Sequence, residues 1–290
     1  MIGDLYDARN VVVGQAAVYV APQNTALPTF DTTGGRGWNA ADPFDPNWIS
    51  YYTVTNGGAT SMTLTYTRQG KVATTGSLTL AGLTAAAVAT ALAGLANVGV
   101  GNVVVTGSTG GPFTVVFKNG ATGGVLSATP TGGSVTVVNP TWTISGATDQ
   151  GWQFGANKST QTVGIEEQST PVATTVTSQN VQILGSLSED ITRTLALALN
   201  ATAQAVAATT TNPGYDLLSL TDTPLQYAVA MVTQNPQGYG RIIYAPAWTQ
   251  LSNVQANFRR ASDKRMYPVS FQTVCQTSQI AIYEFNSPHL

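Results

Sequence analysis

The chain has 290 residues, which is enough to bury a large core in one or two domains. Only 9% of the residues are charged, against about a quarter in an average soluble chain, and the formal net charge is −2 at pH 7. This balance argues against a general nucleic-acid binder, which holds phosphates through many cationic side chains. Because low charge favours association, the composition indicates a protein that assembles with copies of itself.

The residues that most enzymes and metal sites need are scarce. The sequence contains one cysteine, Cys275, and one histidine, His289. An intrachain disulfide is therefore impossible, and the partners for a histidine-based catalytic triad or a zinc site are missing. No nucleotide-binding glycine motif is present either. We expect a protein that is not an enzyme, with no catalytic residues, no bound cofactor and no metal.

No segment of the sequence predicts insertion into a membrane. There is no run of about 18 apolar residues that would span a bilayer. The first six residues lack the positive charge and the apolar stretch of a signal peptide. We therefore expect the protein to be made and to assemble in a cytoplasm.

The N-terminal part predicts one strand followed by a long irregular loop. The strand covers residues 11–20, with a bend at Gly14. Residues 22–48 show no periodicity, and their aromatic side chains argue against simple disorder. These are Phe30, Trp38, Phe44 and Trp48. The acids of this loop, Asp31, Asp42 and Asp45, match no known calcium-binding spacing. We interpret the loop as one that orders against a neighbouring molecule.

Acidic residues divide the chain into an acid-free segment and an acidic remainder. No acidic residue lies between Asp45 and Asp149, and Pro-x-Trp sequences stand near both ends of this interval, at residues 46–48 and 140–142. We predict that residues 50–140 form a domain inserted into a surface loop of a parent domain, which consists of residues 1–49 and 141–290. The alternative is one continuous β-rich domain of uneven composition.

Inside the acid-free segment the pattern indicates several strands and one helix. Residues 62–66 alternate between apolar and polar side chains, which is typical of a strand. Thr84 then opens a helix over residues 85–96, with apolar side chains spaced along one face. These side chains are Val88, Leu92 and Leu95. The strands predicted after the helix are residues 102–106, 113–117, 125–128 and 134–138. We therefore predict a small α+β domain with one helix on a sheet.

After this segment the parent domain returns to strands. The longest strand-like stretch covers residues 172–187 and runs into a helix, whose first turn is predicted from the capping-box spacing of Ser186 and Glu189. The apolar positions predicted to form its buried face are Ile191, Leu195 and Leu199. The remaining predicted strands are residues 142–144, 151–154, 161–167, 226–232, 241–244, 267–274 and 279–285. The fold class is mainly β with two helices.

Charged residues of the parent domain form one basic cluster and one acidic pair. The basic cluster consists of Arg259, Arg260, Lys264 and Arg265. It is a candidate subunit-interface patch, and favourable charge in a solvated turn at a helix C-terminus explains it equally well. The neighbouring carboxylates Glu166 and Glu167 would point to opposite faces of a strand, so they do not predict an acid–base pair.

Several stretches carry a resemblance to known proteins. In the parent domain they are GATDQGWQFG at residues 146–155, VQILGSLSED at residues 181–190, RMYPVSF at residues 265–271 and IAIYEF at residues 280–285. In this order they resemble the tail tube (major tail) proteins of siphophages. In the inserted segment they are LTY at residues 64–66, ATAL at 89–92, GVGNVVVTG at 99–107 and GGPFTV at 110–115. These resemble a small α+β module of phage tail proteins and bacterial surface proteins.

The resemblance implies a β-sandwich tail-tube domain flanked by an α-helix. Six copies would close into a ring through strands that continue from one subunit to the next, and rings would stack into the hollow tube of a virion tail, assembled in the bacterial host cytoplasm. Its partners would be the tape-measure protein, the tail terminator and distal tail proteins, and DNA in transient, non-specific passage. The aromatic loop would contact the next ring, and the inserted domain would project from the tube exterior.

Two other functions fit the same residues. A phage head decoration or capsid protein is also charge-poor and self-associating, and it would form shells or trimers instead of tubes. A carbohydrate-binding adhesin would use exposed aromatic side chains and would bind glycans as a free monomer. The shape of the assembled particle separates these alternatives.

Overall fold

The computed structural model describes residues 16–30, 44–163, 173–189, 191–206, 214–235, 238–254, 266–275 and 279–285. The predicted fold class is confirmed, because the described residues are mainly β with two α-helices. The inserted part contains β2 (Tyr52–Gly57), β3 (Ser61–Arg68), β4 (Lys71–Thr74), β5 (Leu78–Thr79), α1 (Ala85–Ala93), β6 (Val103–Gly107), β7 (Phe113–Phe117), β8 (Val125–Thr131) and β9 (Ser134–Val138). The remaining elements are β1 (Ala16–Pro22), β10 (Thr143–Ile144), β11 (Thr148–Val163), β12 (Ala173–Leu187), α2 (Thr192–Leu199), β13 (Ala201–Val206), β14 (Tyr215–Leu220), β15 (Gln226–Gln234), β16 (Gly240–Gln250), β17 (Tyr267–Thr273) and β18 (Ala281–Glu284).

Elements β2 to β9 build a unit with a core of its own, which we call the inserted unit. One sheet has the strand order β6-β7-β2-β9, and in the other β3 pairs with β8 on one side and with β4 and β5 on the other. The side chains that meet between the sheets and α1 include Tyr52, Val54, Met62, Leu64, Tyr66, Val88, Leu92, Val103, Phe113, Val115, Phe117 and Leu126. The sequence predicts one sheet here, and the structure has two.

Helix α1 forms where the sequence predicts it and ends earlier. The Thr84 hydroxyl caps its first turn by accepting a 3.2 Å hydrogen bond from the Ala87 amide. The three predicted apolar positions, at residues 88, 92 and 95, are all buried. The helix ends at Gly94. Beyond the helix, Asn97 donates hydrogen bonds to the carbonyls of Tyr66 and Lys71.

The other strands build one continuous antiparallel sheet, which with α2 and the β13–β14 pair forms the parent domain. The strand order is β10-β1-β15-β16-β17-β12-β11, and β18 pairs with the first half of β16. The pairing register shifts within β11–β12 and β15–β16, and register shifts of this kind and strand twist make a sheet curl. Val18 of β1 therefore shares a core with Trp152 of β11, from the opposite end of the sheet. The resemblance implies a two-sheet sandwich, whereas the described strands of this domain other than β13 and β14 belong to one eight-stranded sheet.

Helix α2 covers this core, but its start and its buried face differ from the prediction. Ser186 lies inside β12, because the strand stays paired with β17 up to residue 187. The helix begins at Thr192, and its N-cap residue Ile191 provides no side-chain hydrogen bond. The buried positions are Thr194, Leu197 and Ala198. The predicted buried face, at residues 191, 195 and 199, is thus shifted by about one position from the observed one. The neighbouring strands decide which side of the helix is covered.

The inserted unit enters and leaves the parent domain at adjacent points. Its first and last strands are paired, with Thr53 opposite Val138. In the parent domain, β1 and β10 flank the insertion and are paired as well, with Tyr19 opposite Ile144. The cores of the two units share no residue. The chain therefore leaves the parent sheet and returns to it within a few residues of the same place.

Candidate functional site

Strands β13 and β14 form a hairpin that pairs with no further strand in the described part of the chain. They pair with each other from Ala201–Leu220 to Val206–Tyr215. Three of the apolar side chains are exposed: Tyr215, Leu217 and Leu220, the last at 73%. Two strands alone are marginally stable in water and gain stability by packing or by a third strand. Within the described part of the chain, the hairpin therefore has two open edges and an exposed apolar surface.

A second two-stranded arm is the outer half of the β11–β12 hairpin. Strand β12 pairs with β17 only between residues 182 and 187, so residues 157–163 and 173–180 pair only with each other in the described structure. This arm extends over roughly 20 Å. Its described side chains are mostly Ser, Thr, Asn and Gln, with Lys158 as a cation and Val176 as an apolar side chain that is 57% exposed.

Both arms have open edges with backbone groups that can form hydrogen bonds. An unpaired strand presents a row of N–H donors and C=O acceptors, which a strand from another molecule can satisfy. In a monomer such edges are an aggregation hazard, which proteins usually suppress with charged side chains. Among the described residues, the β13–β14 hairpin has one charged side chain, Asp216, and the outer β11–β12 arm has Lys158. Neither arm therefore carries more than one charged side chain among its described residues that could suppress such pairing.

The aromatic loop residues pack on their own parent domain. Trp48 is only 1% exposed and belongs to the cluster on the outer face of β1, β15 and β16. Phe30 lies 5.9 Å from it, ring centroid to centroid, and also contacts the Tyr283 and Phe285 rings. This corrects the expectation that Trp48 contacts the next ring of subunits, because its own domain covers the indole almost completely.

The other predicted contact residues divide into partly accessible and undescribed ones. Phe30 and Phe44 are half-buried against the same cluster as Trp48, and their exposed parts remain predicted contacts. Trp38 lies outside the described residues. So does the whole predicted basic patch, Arg259, Arg260, Lys264 and Arg265, and so do Asp31, Asp42, Glu166 and Glu167.

The junction between the two units is a polar site that sequence reasoning missed. Lys118 Nζ lies 3.1 Å from Asp45 Oδ2, across the junction. Arg193 of α2 lies 4.0 Å from the Glu189 carboxylate and reaches the inserted unit near Gly123. A cleft of about 450 Å³ opens between these charges. Burial lowers the pKa of the Arg193 guanidinium, and the Glu189 charge opposes that effect.

Two tyrosines of the inserted unit hold the turn that faces this junction. Tyr66 Oη donates to the Ala121 carbonyl and accepts a 2.9 Å bond from the Gly124 amide. Tyr52 Oη donates a 2.6 Å bond to the Gly124 carbonyl. Burial raises the pKa of both phenols, and the Arg193 charge lowers it by a smaller amount. The two hydroxyls thereby fix the turn at Ala121 and Gly124.

Other kinds of site find no support among the described residues. In that part of the chain, no three His, Cys, Asp or Glu side chains come together as metal ligands. Neither of the helices found there has the length and apolar character needed to cross a membrane. Cys275 is a free, half-buried thiol.

Sequence reasoning also missed the β13–β14 hairpin. No strand is predicted between residues 200 and 225. Apolar side chains recur there at Tyr215 and Leu217, two alternate positions that a strand would place on one face. That alternation is the signal that could have identified β14. Arg193 carries no comparable signal, because its partner Gly123 is distant in the sequence.

Comparison with known proteins adds no further constraint. No protein-family model matches the chain, and a search of curated proteins gives no significant match.

Proposed function

We propose that this chain is a structural virion protein whose copies pair through the two β-hairpin arms into hexameric rings, and that the rings stack into the tail tube of a siphophage. The observation that carries the proposal is the pair of hairpins without a third strand in the described chain, β13–β14 and the outer half of β11–β12. Pairing with a neighbouring copy would complete both.

The low charge of the chain supports the same function. A chain in which 9% of the residues are charged carries a small electrostatic and desolvation cost when wide interfaces are buried. The open edges then lead to ordered pairing when each arm has a fixed complementary edge on the next copy. Such a contact is heterologous, and it forms a ring when the rotation between copies closes.

The partners follow from this function and from the resemblance in the sequence. A closed tube would enclose the tape-measure protein, end at the tail terminator and distal tail proteins, and conduct DNA without binding its sequence. The acidic residues lie in the parent domain, and acidic side chains on a lumen would repel DNA and let it slide. The inserted unit would stand on the tube exterior.

The test is to express the full chain alone and to view it by negative-stain electron microscopy. We expect hollow tubes of stacked six-fold rings, both for the full chain and for a variant in which a short Gly-Ser linker replaces residues 51–139. Shells or trimers would favour a head decoration or capsid protein instead. A chain that stays monomeric and binds a glycan array would favour an adhesin.

A further inference from the structure

The first turn of α2 joins two parts of the molecule that are distant in the sequence. At Arg193 the helix contacts the inserted unit, and at the preceding residue, Thr192, it contacts the β13–β14 hairpin. One cleft is lined by all three parts, with Gly70 from the inserted unit, Ala196 from α2 and Ala203 from the hairpin. The hairpin therefore stands beside the inserted unit, with the helix between them.

The contact between Arg193 and Gly123 is close. A Cβ placed on Gly123 would lie 1.6 Å from Arg193 Nη1, so the guanidinium would have to move to make room for any other side chain. Gly123 also has a φ of +77°, which favours glycine. The Arg193 side chain is 25% exposed. The contact thus seats a mostly buried cation of the parent domain on the backbone of the inserted unit.

The hairpin is tied to both ends of α2. Thr192 Oγ1 donates a 2.9 Å hydrogen bond to Asp216 Oδ2 on β14. At the other end, Asn200 adopts a left-handed conformation between α2 and β13. Its carbonyl accepts a 2.9 Å bond from Thr221 Oγ1, and its Oδ1 accepts a 2.9 Å bond from the Leu225 amide. A shift of the helix would therefore move the hairpin.

We propose that the inserted unit is a brace that holds α2, and through it the β13–β14 hairpin, in a fixed direction. A hairpin with no third strand in the described chain has little to set its orientation except the helix at its base. The Gly123–Arg193 contact holds that helix from the opposite side. The brace acts within a single copy of the chain, so it can be tested without tube formation.

The first test is a double-mutant cycle on the full chain, read as thermal unfolding midpoints. Arg193→Ala and Gly123→Ala should each lower the Tm. The double variant should lose less than the sum, because the smaller side chain at position 193 removes the clash with the new methyl group. The control is Gly101→Ala, which has a similar φ of +83° and no atom within 4 Å of the added Cβ. Its effect should add to that of Arg193→Ala.

The second test is amide hydrogen exchange of the hairpin strands, measured at a concentration where the chain is monomeric. Arg193→Ala should speed exchange in β13 and β14 several-fold, and so should replacement of residues 51–139 by a linker. Lys118→Met also removes a contact across the junction, but one that does not involve α2, and it should leave hairpin exchange unchanged.

These results decide the proposal without reference to tubes. Additive Tm losses for Gly123→Ala and Arg193→Ala would show that the two residues are not in contact. Unchanged hairpin exchange in Arg193→Ala and in the linker variant would show that the inserted unit does not brace the hairpin. If the chain formed no tubes but the Tm losses of Gly123→Ala and Arg193→Ala were not additive, the proposed function would be refuted and the proposal of a brace would stand.

Discussion

Lys118 Nζ lies 3.1 Å from Asp45 Oδ2, and this ion pair joins the inserted unit to the parent domain. Asp45 is the last acidic residue before the acid-free segment, and Lys118 is one of the three basic residues inside it. The uneven distribution of charge along the sequence therefore has a counterpart in space. At the junction, a basic residue of the acid-free inserted unit pairs with an acidic residue of the parent domain.

Lys118→Met should lower the free energy of unfolding by about 0.5 kcal/mol, because both side chains of the pair are partly exposed and water screens them. Urea unfolding at low and at high salt measures the effect, which should shrink as salt rises. Lys71→Met, at an exposed site of the same unit, is the control and should change little. A loss independent of salt would mean that the lysine acts through packing.

Tyr66→Phe should destabilise the chain by about 2 kcal/mol, because it leaves the buried carbonyl of Ala121 and the amide of Gly124 without the hydroxyl. Tyr52→Phe removes one such bond and should cost about 1 kcal/mol. Denaturant unfolding of the two variants side by side measures the order. Equal losses would contradict the assignment of two bonds to Tyr66.

Alkaline pH should unfold the protein through its buried tyrosines. Burial raises the pKa of Tyr19, Tyr52 and Tyr66, and for Tyr19 the Asp45 charge adds to the effect. Because the folded-state pKa values are raised, the stabilisation is complete below the unfolded-state pKa of about 10 and is lost as pH rises beyond it. Phenolate absorbance should rise in one cooperative step together with loss of structure. Gradual ionisation of these residues in the folded state would contradict the prediction.

Val176→Asp and Leu220→Asp should each block assembly while leaving the monomer folded. Both side chains are exposed on the hairpin arms, at 57% and 73%, so the stability of the monomer should change by no more than about 0.5 kcal/mol. A carboxylate buried at a new interface would weaken assembly at least about tenfold. Sedimentation and electron microscopy measure the result.

The matched control for the arms is Val100→Asp, which lies in the inserted unit and is 89% exposed. It adds the same charge at a site that the proposed function leaves on the outside of the tube. Assembly should therefore proceed as in the unchanged chain. If all three variants assembled equally well, the arms would not be the assembly surface.

Local patterns predicted much of the fold. The alternation at residues 62–66 and the spacing of Val88 and Leu92 are decided by neighbours within a few residues, and both recur as predicted in β3 and α1. The third predicted position, Leu95, is buried but lies beyond the end of α1. The predicted start of α2 was wrong because it is decided by a strand that is distant in the sequence. Ser186 has the spacing of a cap, but β17 pairs with β12 as far as Leu187 and keeps this residue in the strand.

The candidate site was predictable only in part. The aromatic loop was identified from its composition, but whether an aromatic side chain faces its own domain or another copy depends on what covers it. For Trp48 the covering surface is the outer face of β1, β15 and β16. The hairpin arms were not predicted. An edge is open when no other strand lies beside it, and no local sequence pattern encodes the absence of such a strand.

By itself, the sequence determined the low charge, the scarcity of histidine and cysteine, the acid-free segment and the alternation that makes the chain mainly β. These are properties of composition and of close neighbours. Only the tertiary structure decided that Lys118 meets Asp45, that Arg193 contacts Gly123 and that two hairpins have no third strand among the described residues. Such contacts join residues that are about 70 positions apart, and chain folding, through burial and backbone pairing, selects them.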